Sequence, residues 1–171
     1  MVTSARAALW SGASPACPLC DGANESLVHM FAECRCVAPA WEWGARLLGA
    51  PAVLLSAAER TLSATGAAVA FARRAVVLAC RRAIWLQRCQ VHHRSTRPNA
   101  FRLVARCAAE LCADIELDLA LARRRASLLA AGPAVSLWAA FWGRWKPLRR
   151  FLRPAGGGSR LALADPSLDR M

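Results

Sequence analysis

With 171 residues, 56% of them apolar and 20% charged, the chain has enough apolar material for one packed domain with a small appended module, which argues against disorder. A net charge of +12, from 23 basic and 11 acidic residues, favours a polyanionic partner, either nucleic acid or an acidic membrane surface. The opening "MVTSARAALWSGASPAC" holds Arg6 and too short an apolar run for a signal peptide. The eight cysteines therefore read as reduced thiols of an intracellular protein, in nucleus or cytoplasm, and not as a secreted disulfide framework.

Residues 1–50 are expected to form a zinc-binding knuckle with flanking helices, the first of them a short one ahead of Cys17. In "CPLCDGANESLVHMFAEC", Cys17, Cys20, His29 and Cys34 stand in a C-x2-C-x8-H-x4-C array. Zinc takes thiolate sulfur and imidazole nitrogen in a tetrahedron, and a Cys-x2-Cys turn lets two thiolates converge on one cation. Pro18 stiffens that turn, and Asp21-Gly22 supplies a positive φ just after it. Asn24 is the expected N-cap of a short helix, "ESLVHMFAE", that carries His29 toward the metal. On an unbroken α-helix the pair His29 and Cys34 would be separated by about 140°. The helix must therefore unwind near Ala32 or Glu33 for Cys34 to swing back. Cys36 competes as fourth ligand, although it faces a different way. Four protein ligands close the coordination sphere, so the expected cofactor is a structural Zn2+ that folds the chain and does no chemistry.

Residues 51–69 read as a connector and 70–153 as a helical region in which charge is segregated. Residues 70–106 hold nine Arg and no acid, 107–122 hold four acids and no base, and 123–153 hold seven Arg and Lys146 with no acid. From Phe71 the series Phe71, Ala75, Leu78, Trp85, Cys89 has amphipathic helical spacing. Arg74, Arg81 and Arg88 repeat every seven residues as a separate basic stripe. "STRPNAF" stops this helix, and Pro98 or Asn99 starts a second with the stripe Phe101, Val104, Ala108, Leu111, Ile115, Leu119, Ala122. Its "IELDLALA" also alternates as a strand would, but the flanking pattern favours helix. If the two helices form an antiparallel hairpin, Glu110, Asp114, Glu116 and Asp118 absorb part of the basic charge.

A third helix starts at Pro133, with Trp138, Phe141, Trp142, Trp145, Leu148 and Leu152 on one side, and Pro147 kinks or ends it. The uncharged run 126–143 touches the lower length for a membrane span, but Gly132-Pro133 interrupts it, which favours a buried core helix. "PAGGGSR" opens a flexible tail, 154–171. The expected fold class is mainly α: a small CCHC zinc knuckle followed by a loose bundle of about three longer helices.

Arg74, Arg81 and Arg88 could track a phosphate backbone. "WAAFWGRWKPLRRFLR" offers Trp145 and Arg149 for stacking and pairing with unpaired nucleotides, so RNA or DNA is the expected partner. The plainer reading of the same residues is a packed aromatic face with solvated cations, and the composition also suits an acidic membrane surface. His92 and His93 lack a recognisable acidic or nucleophilic partner, so neither an enzyme nor a small-molecule substrate is expected.

The stretch "CPLCDGANESLVHMFAECRCVAPAW" closely resembles the zinc-binding region that lies downstream of the polymerase in many non-LTR retrotransposon reverse transcriptases. The shared features are Cys17-Pro18-Leu19-Cys20, Gly22, Glu25-Ser26, His29, Met30-Phe31, Cys34 and Trp41. "ARAALWSG" resembles the helix that leads into that knuckle, and "RRAIWLQRCQVHH" is similar, more faintly, to an Ile-Trp-x-x-Arg helix further along. The resemblance covers about residues 5–45 and implies a zinc knuckle followed by helices, with nucleic-acid binding as the role. Cys36 stands where that family often has Pro. The chain holds no Tyr, hence no Tyr-x-Asp-Asp polymerase motif, and no Pro-Asp-Asp nuclease pattern. The resemblance thus implies a detached C-terminal fragment of a larger element.

Overall fold

The computed structural model describes residues 3–4, 14–22, 24–49, 71–94, 96–128, 131–155 and 160–163, and among these the backbone is mainly helical. A π-helical turn, His29–Glu33, and a 3-10 turn, Arg35–Val37, lead into α1, Ala38–Leu47. Three longer helices follow: α2, Phe71–Arg94; α3, Ala100–Ser127; and α4, Ala131–Trp145. A 3-10 turn, Lys146–Phe151, then feeds an antiparallel pair, β1, Leu152–Ala155, and β2, Arg160–Leu163. The expected short helix ahead of Cys17, the connector 51–69 and the side chain of Trp138 lie outside the described residues. No described helix is long and apolar enough to cross a membrane.

The α2–α3 hairpin is the frame on which everything else sits. Asn99 caps α3, its side chain accepting a hydrogen bond from the Arg102 N–H at 2.8 Å, which satisfies one of the amides that a helix start leaves unpaired. Along α3 the expected stripe is buried from Val104 through Ala108, Leu111, Ile115 and Leu119 to Ala122, and the strand-like alternation of 115–122 is overridden. Phe101, at the head of that stripe, is instead 46% exposed.

On α2 the buried face agrees with the one read in sequence at Ala75 but not at its larger members. Ala72, Val76, Ala79, Cys80, Ala83 and Ile84 are buried, whereas Phe71 is exposed and Leu78, Trp85 and Cys89 are half-buried. The cause is tertiary. α2 is covered by α1 and the π turn as well as by α3 and α4, so the face that these neighbours bury carries mostly small and β-branched residues. Gly44 of α1 shows how close that approach is: a Cβ there would fall 3.0 Å from Val76 Cγ1.

Pro147 cannot donate to the helix ladder, and α4 accordingly ends at Trp145. Phe141, Trp145, Leu148 and Leu152 are buried on one side, as the spacing predicts, with Trp142 half-buried. The tail needs correcting at its start. Leu152 pairs with Leu163 and Ala155 with Arg160, so residues 152–155 and 160–163 form a ladder that lies against α3 instead of a wholly flexible tail. That ladder satisfies backbone groups which a segment laid on the bundle could not otherwise pair.

Three of the four acids of α3 pair within the bundle, Glu110 and Asp114 across the hairpin as anticipated and Asp118 with α4 instead. Arg82 of α2 reaches Glu110 at 2.9 Å and Asp114 at 3.6 Å, and Arg144 of α4 forms a forked pair with Asp118.

Candidate metal centre

Residues 16–24 close a small loop through a bridge between Ala16 and Asn24, reinforced by Glu25 N–H donating to the Pro15 carbonyl at 2.9 Å. Inside it the Cys17 carbonyl accepts from Cys20 and Asp21 N–H at 3.3 and 2.8 Å, which turns Cys17 and Cys20 toward one point. Asp21 takes the left-handed conformation, at φ 54°, that the sequence pattern demands of this turn.

Ser26, not Asn24, caps the segment that follows, its hydroxyl accepting from His29 N–H at 2.9 Å. Asn24 lies in the extended backbone bridge to Ala16, two residues ahead of the cap. The helix then widens instead of simply unwinding. Cys34 N–H donates to the His29 carbonyl at 2.8 Å, a five-residue closure that brings side chains five apart onto the same side. The backbone leaves the helix at Cys34 itself, whose ψ of 123° is extended. The Trp41 indole N–H, from α1, donates to the Phe31 carbonyl at 2.7 Å and so anchors the turn from below.

The outcome is one cluster. The ligand atoms of Cys17, Cys20, His29 and Cys34 all lie within 4.8 Å of one another. Cys17 Sγ is 4.0 Å from Cys34 Sγ, and Cys20 Sγ is 3.4 Å from His29 Nε2. A tetrahedral zinc ion with bonds near 2.3 Å to sulfur and 2.0–2.1 Å to nitrogen has S···S edges of about 3.8 Å and S···N edges of about 3.6 Å. These two separations lie within about 0.2 Å of those edges, and 4.0 Å is about twice a disulfide bond. The four side chains could hold a metal ion and are compatible with structural zinc.

Cys36 is outside the cluster. Its thiol donates to the Leu19 carbonyl at 3.0 Å, so it braces the Cys-x2-Cys turn, and burial pushes its pKa up. Cys17, in contrast, is lowered to about 5 by the hydrogen bond from Cys34, against the opposing effect of burial and with help from the Leu19 and Cys20 backbone. Cys34 is raised by that same hydrogen bond and by burial. The shared hydrogen bond thus favours the thiolate form at Cys17, the form that binds metal.

The arginine stripe is not one surface. Arg88 is buried and forked onto Glu25, Nε to Oε1 at 3.0 Å and Nη2 to Oε2 at 2.9 Å, and it also donates to Ser4 Oγ at 3.1 Å. Glu25 accepts in addition from Ser4 N–H. Burial pushes the Glu25 carboxyl up, but these donors outweigh it and leave it below the usual carboxylate range. Arg88 is therefore not a phosphate contact: it clamps the knuckle to α2. Arg81 lies 4.6 Å over the Phe31 ring and is half-buried under the π turn. Only Arg74 of the three is exposed.

Trp145 is likewise withdrawn from stacking. It is 1% exposed, donates from Nε1 to Asp118 Oδ2 at 2.8 Å and meets Phe71 edge-on. Arg149 is exposed, its guanidinium 5.6 Å above Trp142. Sequence reasoning missed the Glu25–Arg88 clamp. The available signal was a carboxylate between metal ligands, in a segment otherwise destined for burial. No protein-family model matches this chain, and neither a curated protein nor a solved structure is found to be similar to it.

Proposed function

We propose that the chain is a non-enzymatic nucleic-acid-binding module in which a structural zinc ion, held by Cys17, Cys20, His29 and Cys34, fixes the knuckle against a helical bundle. The observation that carries this reading is the convergence of four ligand atoms within 4.8 Å, together with the resemblance of 17–41 to the zinc-binding region of reverse transcriptases. The bundle supports the partner. After Arg82, Arg88 and Arg144 are spent on internal carboxylates, Arg74, Arg94, Arg97, Arg102, Arg106 and Arg149 remain without an ion pair among the described residues. Such cations release counterions from a polyanion, and affinity then falls steeply with salt.

The test is a salt-titrated binding measurement with labelled single-stranded RNA and DNA, on zinc-loaded protein whose metal content has been determined. Micromolar affinity at low salt, lost as salt rises, is the expected result. A second reading, a protein-interaction module, is favoured by a mostly apolar cleft of ≈410 Å³ lined by Phe71, Leu78, Leu117, Leu121 and Trp145. Zinc-loaded protein that binds neither nucleic acid at low salt would leave that reading standing.

A further inference from the structure

The arginines without an ion pair among the described residues are not equivalent, because two of them border a cleft with an unanswered donor. Between the C-terminal half of α2 and the first turns of α3 lies a cleft of ≈710 Å³ lined by Gln87, Gln90, Phe101, Arg102, Arg106 and Glu110, among others. Gln87 is only 7% exposed, yet its Nε2 has no hydrogen-bond partner. Buried amide donors are nearly always paired, so this one marks a place where an acceptor belongs. Arg102 and Arg106 are one turn apart on the same face of α3, and neither has an ion-pair partner among the described residues. Glu110, one turn further, does not cancel them, since its carboxylate is committed to Arg82 at 2.9 Å. Phe101 stands 46% exposed at the rim, a large aromatic that the core has left out.

We propose that this cleft seats one nucleotide unit of a single-stranded nucleic acid, with the phosphate on Arg102 and Arg106, the base against Phe101, and Gln87 Nε2 donating to an acceptor of the bound unit. The cleft has the volume of an ordinary small-ligand site. Two guanidiniums with an amide donor select an anionic oxygen, and the adjacent aromatic selects a flat base over a bare inorganic anion. Arg97, in the segment that joins α2 to α3, adds a further exposed cation near the start of α3 in sequence. This inference rests on the nucleic-acid reading above and moves its centre from the α2 arginine stripe to the cleft between α2 and α3.

The experiment is fluorescence anisotropy of a labelled short oligouridylate against the zinc-loaded full chain. The Arg102→Gln, Arg106→Gln double variant is expected to weaken binding about tenfold or more and to lower the salt slope by about 0.7, the value for one phosphate contact on a single strand. Phe101→Ala, an exposed truncation, should weaken it by about fivefold or more through lost stacking. Gln87→Leu is the sharpest probe, because it removes an unpaired buried donor: the unfolding midpoint should hold or rise while binding falls. Cleft variants that bind like the unmodified chain, while Arg74→Gln with Arg149→Gln abolishes binding, overturn the cleft and leave the nucleic-acid reading intact. An unmodified chain that binds no oligonucleotide at low salt overturns both.

Discussion

Residues 14–37 and residues 71–127 bury side chains for opposite reasons. In the helical hairpin an apolar stripe at 3.6-residue spacing faces a second helix, and burial follows from periodicity. In the knuckle Cys17, Glu25, His29 and Cys34 are all buried, and no periodic pattern accounts for them. What draws them inward is pairing: thiols and an imidazole toward one point, and a carboxylate toward Arg88. A polar interior of that kind is stable only while every member keeps its partner. The hairpin, in contrast, tolerates single losses by partial collapse.

That contrast is tested most severely by removing the metal. Chelation of zinc-loaded protein, or Cys34→Ser, should unfold the knuckle while most far-UV helicity persists, because binding energies of structural zinc are about 10–16 kcal/mol in small fingers. Metal content by mass spectrometry and the near-UV signal of Trp41 and Trp43 would follow the loss. Cys36→Ser, which removes only a thiol that donates to Leu19, should keep a full equivalent of metal. Equal retention by both serine variants would break the ligand assignment.

Next in size is the clamp. Arg88→Met leaves the Glu25 carboxylate buried without its guanidinium and should cost about 3–5 kcal/mol in urea denaturation. Its pH dependence has a definite sign. Glu25 is depressed in the folded state, so its contribution is present above the unfolded carboxylate value, near 4.3, and is lost as pH falls through the lower folded value. The difference in stability between the unmodified chain and Glu25→Gln should therefore be flat above pH ~5 and shrink below it. Taking the difference cancels ligand protonation, which the two chains share.

Leu111→Ala, in the fully buried centre of α3, should cost about 2–5 kcal/mol through its cavity yet leave the metal bound. Loss of zinc from that variant would show that the two regions do not fold separately. The smallest effect is expected at the surface. Arg82→Gln breaks pairs to Glu110 and Asp114 whose side chains are half-exposed to partly exposed, and about 0.2–1 kcal/mol, screened by salt, is the expected loss.

Particular residues show how far sequence could carry this. Val104 through Ala122 are buried as their spacing requires, and Pro147 ends α4, because both effects are local. The seven-residue arginine repeat was equally visible, and its meaning was not. Arg74, Arg81 and Arg88 end up exposed, half-buried and buried, since the knuckle lies across the later part of α2. Trp145 was legible as amphipathic but not as the donor to Asp118, a residue 27 positions away.

By itself, the sequence determined the helical class, the Cys/His array that could hold a metal ion and the need for the backbone to change course near Cys34, because each depends on spacing over a few residues. Only the tertiary structure decided how that change is made, by widening the helix to a five-residue closure under the Trp41 indole, and which cations are spent internally. The physical reason is that a buried charge is assigned by what lies across from it. For Arg88 that partner is Glu25, 63 residues earlier in the chain.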